Sequence, residues 1–194
     1  MSAPFNANRL IFLGSGLILL GALGFYNIPG MIADDAEGSR LVNSIYCSVM
    51  TLTTVGYGDI CPGEIGNEGR MFIVSLSFLG LGMFSGPIMD FSSSWTKKVP
   101  GGIWGATCAT AGLGLGMFTI LEGMQNDDAL YFTVITGTTI GYGDVSPKTD
   151  IGKLATSIFA ILVTNVMGGL LEPAKDVLAN FCRSKPIESK SKEA

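Results

Sequence analysis

The sequence contains no histidine, and charged residues make up only 14% of its 194 residues. Without imidazole, the commonest metal ligand and the ordinary proton switch near neutral pH are both absent. Because the sequence also lacks metal-ligand spacing, an enzyme is not expected. The charged fraction lies well below the roughly 25% of average soluble domains, whereas 47% of the residues are hydrophobic and 27 are glycine. This composition favours a membrane protein.

Four long, predominantly apolar stretches of the sequence contain no charged side chain. Each approaches or exceeds the roughly 20 residues that an α-helix needs to cross the hydrocarbon core of a bilayer. The sequence therefore predicts four membrane crossings. The stretches are residues 10–33, 71–89, 99–121 and 154–171.

Charge is distributed unevenly between the pieces that separate these four stretches. Cytoplasmic loops carry an excess of Lys and Arg, so both termini are predicted to be cytoplasmic, in a plasma or bacterial inner membrane rather than an organelle. The opposite face is acidic and would concentrate cations. Eight of the twelve basic residues fall on the predicted inner side: Arg9, Lys97, Lys98, Lys175, Arg183, Lys185, Lys190 and Lys192. Eleven of the sixteen acids fall on the outer side: Asp34, Asp35, Glu37, Asp59, Glu64, Glu68, Glu122, Asp127, Asp128, Asp144 and Asp150.

A six-residue motif occurs twice, as TVGYGD at residues 54–59 and as TIGYGD at residues 139–144. Glycine at alternate positions permits backbone conformations that other residues tolerate poorly, so successive carbonyls can point to one side. Carbonyls aimed at one axis can replace the water shell of a cation, and the hydroxyls of Thr54 and Thr139 would add a further ring. The motif therefore indicates a binding path for dehydrated K⁺.

The residues before each motif match as well. SIYCSVMTLTTVGYGDICP, residues 44–62, aligns without a gap with ALYFTVITGTTIGYGDVSP, residues 129–147. One isolated GYG could be only a tight turn, but a duplicate in the same context argues against that reading. Residues 41–52 and 129–138 are too short to cross a bilayer, and we predict that they form re-entrant helices. Their C-terminal ends would direct partial negative charge towards cations.

The duplicated order of helix, short helix, motif and helix resembles the two-pore-domain potassium channel family over about residues 10–171. The resemblance implies an all-α membrane protein with four transmembrane helices and two re-entrant pore helices, each followed by a filter loop. In that family the filter binds K⁺, and the tyrosines of the loops pack outward to brace the ring. The matching filter residues are Thr54, Val55, Gly56, Tyr57, Gly58, Thr139, Ile140, Gly141, Tyr142 and Gly143, and the expected filter supports are Asp59, Asp144, Tyr46 and Tyr131.

The inner helices contain three further candidates for a cavity or gate. If Arg70 marks the start of the first inner helix, Gly80 falls near the hinge glycine of the family. The second half has Val163 there and Gly168 farther along, so a symmetric hinge is not implied. Asn165 is the only strongly polar side chain in these helices. It would be functional if it faced a water-filled cavity, or would hydrogen-bond a neighbouring helix, and the sequence leaves both roles open.

The repeats divide the chain into a first pore repeat at residues 1–95, a second at residues 96–172 and a short cytoplasmic tail at residues 173–194. The apolar stretches have no arginine at every third position, so a voltage sensor is not expected. A background or leak K⁺ channel without an extracellular cap is the favoured interpretation. The alternatives are a silent subunit of a heteromeric channel and a potassium uptake transporter, although such transporters typically carry four loops per chain.

The number of loops also predicts the assembly. A carbonyl cage of this type is closed by four loops, and each chain supplies two, so two chains should form one homodimeric pore with pseudo-fourfold symmetry. The expected partners are K⁺, the lipid bilayer and a second copy of the chain, and nucleic acid is not expected. No cofactor is expected other than the permeant K⁺ itself.

Overall fold

Helices account for all the regular secondary structure in the part of the chain that the computed structural model describes, which comprises residues 7–60, 62–84, 98–170, 179 and 181. The predicted all-α class is confirmed. Six helices are described over their length: α1 Ala7–Asn27, α2 Arg40–Leu52, α3 Asn67–Phe84, α4 Gly102–Leu121, α5 Asn126–Gly137 and α6 Asp150–Gly169.

Helix length separates two classes of helix, as the sequence predicts. The helices α2 and α5 have 13 and 12 residues, and each ends directly before one of the two motifs. Among the described residues, three helices are long and apolar enough to cross a membrane, namely Asn8–Asn27, Gly102–Leu121 and Asp150–Gly169. The other predicted crossing, residues 71–89, contains most of α3, but residues 85–89 lie outside the described part. The fourth crossing and the re-entrant course of α2 and α5 stay predictions.

The outer surfaces of the long helices carry large apolar side chains. Phe12 on α1 is 77% exposed, and Trp104 and Ile120 on α4 are 67% and 82% exposed. Contiguous apolar surface of this kind is unfavourable in water and favourable in hydrocarbon. The same helices bury their opposite faces in one apolar core, where Phe118 makes edge-to-face contacts with Phe132 at 4.6 Å and with Phe159 at 5.3 Å between ring centroids.

Each repeat forms its own group of three helices. In the first repeat α2 packs against α1 and α3, and in the second repeat α5 packs against α4 and α6. A further contact between α2 and α6 joins the two groups. The short helix of the first repeat therefore has three helical neighbours within the described residues, whereas extensive packing of α5 is confined to two.

The first turn of α6 fastens the second repeat to the loop that precedes α2. Thr149 caps α6 by accepting a hydrogen bond from the Gly152 amide at 2.9 Å, and the Asp150 carboxylate accepts from the Ser39 amide at 3.1 Å. Lys153 is only 3% exposed, and its ammonium donates to the Glu37 carbonyl at 2.6 Å and to Asn43 Oδ1 at 2.8 Å. Both donor bonds satisfy a cation that would otherwise be costly to bury.

Candidate functional site

The two motif loops adopt the same backbone conformation. In each loop three alternate residues have a positive φ, and two of the three are glycines, which tolerate it without strain. The third is a threonine, and Thr54 and Thr139 are the only non-glycine residues with positive φ in the described part of the chain. The φ values are +60° for Thr54, +54° for Gly56 and +73° for Gly58, against +56° for Thr139, +53° for Gly141 and +78° for Gly143.

Backbone amides of both loops bond back to the helix that precedes them. Gly56 N donates to the Met50 carbonyl at 3.3 Å, and Gly141 N donates to the Ile135 carbonyl at 3.3 Å. Among the described residues, no backbone hydrogen bond is accepted by a carbonyl of residues 54–57 or 139–142. The amides thus hold the loops from behind, and the carbonyls stay available to another partner.

The two loops lie side by side along one edge. A Cβ atom on Gly141 would collide with the Val55 carbonyl oxygen, and one on Gly143 would collide with that of Tyr57. The equivalent contact, in which Gly56 would meet Ile140, is not made within one copy, because a Cβ atom on Gly56 would meet no atom of the described residues within 4 Å. The pair of loops is therefore closed on one side and open on the other.

The expected supporting residues form two matching hydrogen bonds. Tyr46 OH donates to Asp59 Oδ2 at 2.9 Å, and Tyr131 OH donates to Asp144 Oδ2 at 2.9 Å. Each bond ties the C-terminal end of a loop to the middle of its own short helix. The arrangement restrains the residue that directly follows the second glycine of each motif.

The two motif tyrosines differ sharply in their surroundings. Tyr57 is 5% exposed and stacks between Tyr46 at 6.4 Å and Phe132 at 5.3 Å. Its hydroxyl bonds to Thr136, and because the Thr136 hydroxyl donates to the Phe132 carbonyl, Tyr57 is the donor. The first loop is thus anchored on the short helix of the second repeat. Tyr142, its equivalent, is 69% exposed.

A cavity of about 200 Å³ lies on α2, and four of its lining residues are Tyr46, Cys47, Met50 and Thr51. Two of these positions, Cys47 and Thr51, are equivalent to Phe132 and Thr136, the α5 residues that contact the Tyr57 side chain. We call this cavity the α2 seat. The corresponding residues on α5 are Tyr131, Phe132, Ile135 and Thr136.

The three candidates on the inner helices occupy different environments. A Cβ atom on Gly80 would lie 2.7 Å from the Leu52 Cα and carbonyl oxygen, so α3 touches the C-terminal end of α2 at this residue. Gly168 lies in the last turn of α6, where the Leu170 amide donates to the Met167 carbonyl at 3.0 Å. The Asn165 amide donates to the Ile161 carbonyl of its own helix, a bond that tests neither role predicted for this residue.

Sequence reasoning missed the residues that join the repeats. Lys153, Phe132 and Thr136 all contact the other half of the chain, although none belongs to a recognised motif. A threonine at matching positions in the two short helices, Thr51 and Thr136, was the available signal for Thr136. No comparable signal pointed to Lys153. Arg70 and Lys153 each lie near the start of an inner helix, and this match does not indicate a contact with the other repeat.

Comparison with known proteins identifies the family to which this chain belongs. Residues 13–97 and 103–180 each match the family model described as "Ion channel". The chain therefore belongs to this ion channel family and carries its unit twice. The predicted membership of the two-pore-domain potassium channels is confirmed by this match and by the curated relatives.

The relatives are similar at modest identity. The chain is 28% identical over 181 residues to two pore potassium channel b of Oryza sativa subsp. japonica, which covers 79% of this chain and 50% of that protein. It is 25% identical over 193 residues to two-pore potassium channel 1 of Arabidopsis thaliana, with 83% and 52% covered. It is 28% identical over 128 residues to human potassium channel subfamily K member 17, with 54% and 38% covered. The chain spans about half the length of the plant relatives.

Proposed function

We propose that this protein is a K⁺-selective channel of the background or leak type. Dehydrated K⁺ passes along the carbonyls of residues 54–58 and 139–143, with the Thr54 and Thr139 hydroxyls at the inner end. The observation that carries the proposal is the matched alternation of positive φ at residues 54, 56 and 58 and at residues 139, 141 and 143. That alternation turns successive carbonyls to one side, and the amides behind them are already bonded to the short helices.

The proposed membrane arrangement follows from the same geometry. Four helices, α1, α3, α4 and α6, cross the bilayer, and α2 and α5 enter it from the outer face and stop at the filter. Non-helical backbone at this depth is tolerated where it is buried in protein or lines a watery path. The termini lie in the cytoplasm, in a plasma or bacterial inner membrane. The proposed repeats are residues 1–95 and 96–172, and residues 173–194 form the tail.

The proposed pore contains two copies of the chain. Within one copy the filter is open beside Gly56, Tyr142 is exposed, and the α2 seat is a cavity of about 200 Å³. A second copy related by a twofold axis brings its Tyr142 to this seat and its second loop to Gly56. Four loops then surround one axis, and the true symmetry is twofold because the repeats differ at positions such as Cys47 and Phe132.

Reconstitution of the purified chain alone in liposomes tests the proposed function. We expect a current whose reversal potential follows the K⁺ gradient in asymmetric KCl and NaCl, with resolvable single-channel events and little dependence on voltage. The Gly56→Glu variant, which places a side chain in the filter, is the non-conducting control. A reversal potential that ignores the K⁺ gradient would contradict K⁺ selectivity.

The same recordings separate the two alternative functions. A silent subunit of a heteromeric channel would give no current when it is reconstituted alone. An uptake transporter would give K⁺ flux without unitary events, because transporter turnover is far below channel conductance. Neither alternative is favoured by a specific contact in the described part of the chain.

A further inference from the structure

The contact between the two repeats of one chain provides a template for contact between two copies. The helix α6 lies against α2, and Lys153, at the start of α6, contacts Asn43, near the start of α2. Ser157 lies one turn beyond Lys153 on the same helix face, and it is 4% exposed. Both positions of this stripe of α6 are therefore buried, and the neighbouring repeat contacts Lys153.

The equivalent stripe on α3 is found by aligning the two inner helices. They begin at Asn67 and Asp150, a separation of 83 residues rather than the 85 of the motifs, because two extra residues precede α3. Burial supports this register, since positions that face their own repeat are buried in both helices. These pairs are Gly69 and Gly152, Leu76 and Phe159, Gly80 and Val163, and Met83 and Val166.

In this register Arg70 and Val74 on α3 are the equivalents of Lys153 and Ser157. Arg70 is exposed and Val74 is 49% exposed, although their counterparts are almost completely buried. Phe78, one turn farther along, is 71% exposed. The face of α6 that packs against a neighbouring short helix therefore has an exposed equivalent on α3, which we call the α3 stripe.

The surface that would cover this stripe is identified by the partner of Lys153. Asn43 accepts the Lys153 bond, and the residue equivalent to Asn43, 85 positions later, is Asp128 in the first turn of α5. Asp128 is exposed, whereas Asn43 is 1% exposed. Within the chain, the neutral amide of Asn43 therefore faces Lys153. At the equivalent positions, the carboxylate of Asp128 would face Arg70 of another copy.

We propose that a second copy of this chain packs the outer end of its α5 against the α3 stripe, so that Arg70 of one copy pairs with Asp128 of the partner subunit. The inference rests on the proposed function, because it specifies the interface of the proposed dimer. The twofold axis generates the pair twice. Arginine can bind a carboxylate through two parallel hydrogen bonds, and the opposite charges favour α3 against α5 over α3 against a second α3.

Charge reversal in the full chain tests the interface. We expect Arg70→Glu and Asp128→Arg each to weaken dimerisation in lipid nanodiscs by about tenfold or more, because each brings like charges together. The double variant Arg70→Glu with Asp128→Arg restores the attraction and should return dimerisation to about the wild-type level. Dimer fraction is measured by single-particle mass of nanodiscs captured from bilayers that were equilibrated at a series of protein-to-lipid ratios.

Asp127→Arg is the matched control, because it reverses the neighbouring charge in the same helical turn. It should leave dimerisation unchanged and should not rescue Arg70→Glu. Normal dimerisation of both single variants would overturn the interface, and so would a double variant that keeps the wild-type melting temperature but stays monomeric. The two proposals can fail separately. If the protein gives a K⁺-selective current and both single variants form normal dimers, only the interface is rejected. If the double variant restores dimerisation but the protein gives no K⁺ current, only the proposed function is rejected.

Discussion

At the scale of single residues, Lys153 is the most tightly constrained charge in the described part of the chain. Its side chain is 3% exposed and holds a carbonyl and an amide oxygen that belong to the other repeat. A lysine at this depth is a specific connector, since both of its bonds join a charged donor to an acceptor of the other repeat, and the Asn43 acceptor is itself buried. Loss of such a group leaves those acceptors unsatisfied.

We expect Lys153→Met to lower the free energy of unfolding by about 2–4 kcal/mol, because two hydrogen bonds from a charged donor are lost while the apolar stem is retained. Thermal unfolding in detergent measures the change. Lys148→Met is the matched control, since Lys148 is exposed and close in sequence, and it should shift the melting temperature little. Equal shifts for the two variants would contradict a connecting role for Lys153.

At the scale of helices, Gly80 and Gly82 provide a contrast within α3. A side chain on Gly80 would meet the Leu52 backbone at 2.7 Å, whereas one on Gly82 would meet no atom within 4 Å in the part of the chain that the structure describes. Gly80 therefore allows close approach of α3 to α2. Because α2 ends next to the first motif, the contact also places α3 beside the base of the first motif loop.

Alanine substitutions at these two glycines should have opposite effects. Gly80→Ala should destabilise the protein by about 1–3 kcal/mol, because the methyl group forces two backbones apart. Gly82→Ala should be neutral or stabilising by up to about 1 kcal/mol, because alanine favours the helix. Thermal unfolding of the two variants in the same detergent is the measurement. A melting temperature that rises for Gly80→Ala would show that α3 does not rest on Leu52.

Sequence alone predicted the elements better than the contacts between them. The short helices were predicted at residues 41–52 and 129–138 and are found at Arg40–Leu52 and Asn126–Gly137, because each is fixed by a local pattern next to a motif. The Lys153 to Asn43 bond joins residues 110 positions apart, and the Tyr57 to Thr136 bond joins residues 79 positions apart. Nothing in a local pattern specifies such pairs. They depend on which repeat lies beside which.

At the scale of the whole molecule, the two equivalent motif tyrosines, Tyr57 and Tyr142, are expected to contact different chains. Tyr57 is seated on α5 of its own chain, and the proposed dimer seats Tyr142 on α2 of the partner subunit. A photoreactive benzoylphenylalanine at position 142 should therefore give a covalent dimer on illumination, with cross-links in the segment that contains Cys47 and Thr51. The same group at position 57 should link only to residues of its own chain.

Gel mobility and peptide mapping separate these products, and the position 57 variant controls for non-specific capture. A monomer-sized product from position 142, with cross-links confined to one chain, would argue against the proposed second copy at the α2 seat. A covalent dimer from both positions would instead indicate that position 57 also contacts the partner subunit. The proposed arrangement requires the two positions to differ.

The presence of both motif loops on one chain also determines the concentration law of the proposed assembly. Because the loops are covalently joined and the bonds of Lys153 and Asp150 hold their repeats together, half of the proposed filter forms in a unimolecular reaction that does not depend on how much protein the membrane contains. One encounter between two chains then completes the ring, so the amount of assembled pore should rise with the square of a dilute subunit density. Four separate single-loop subunits would follow the fourth power. If two chains form the proposed pore, a duplicated chain keeps it assembled at expression levels at which such a tetramer would dissociate.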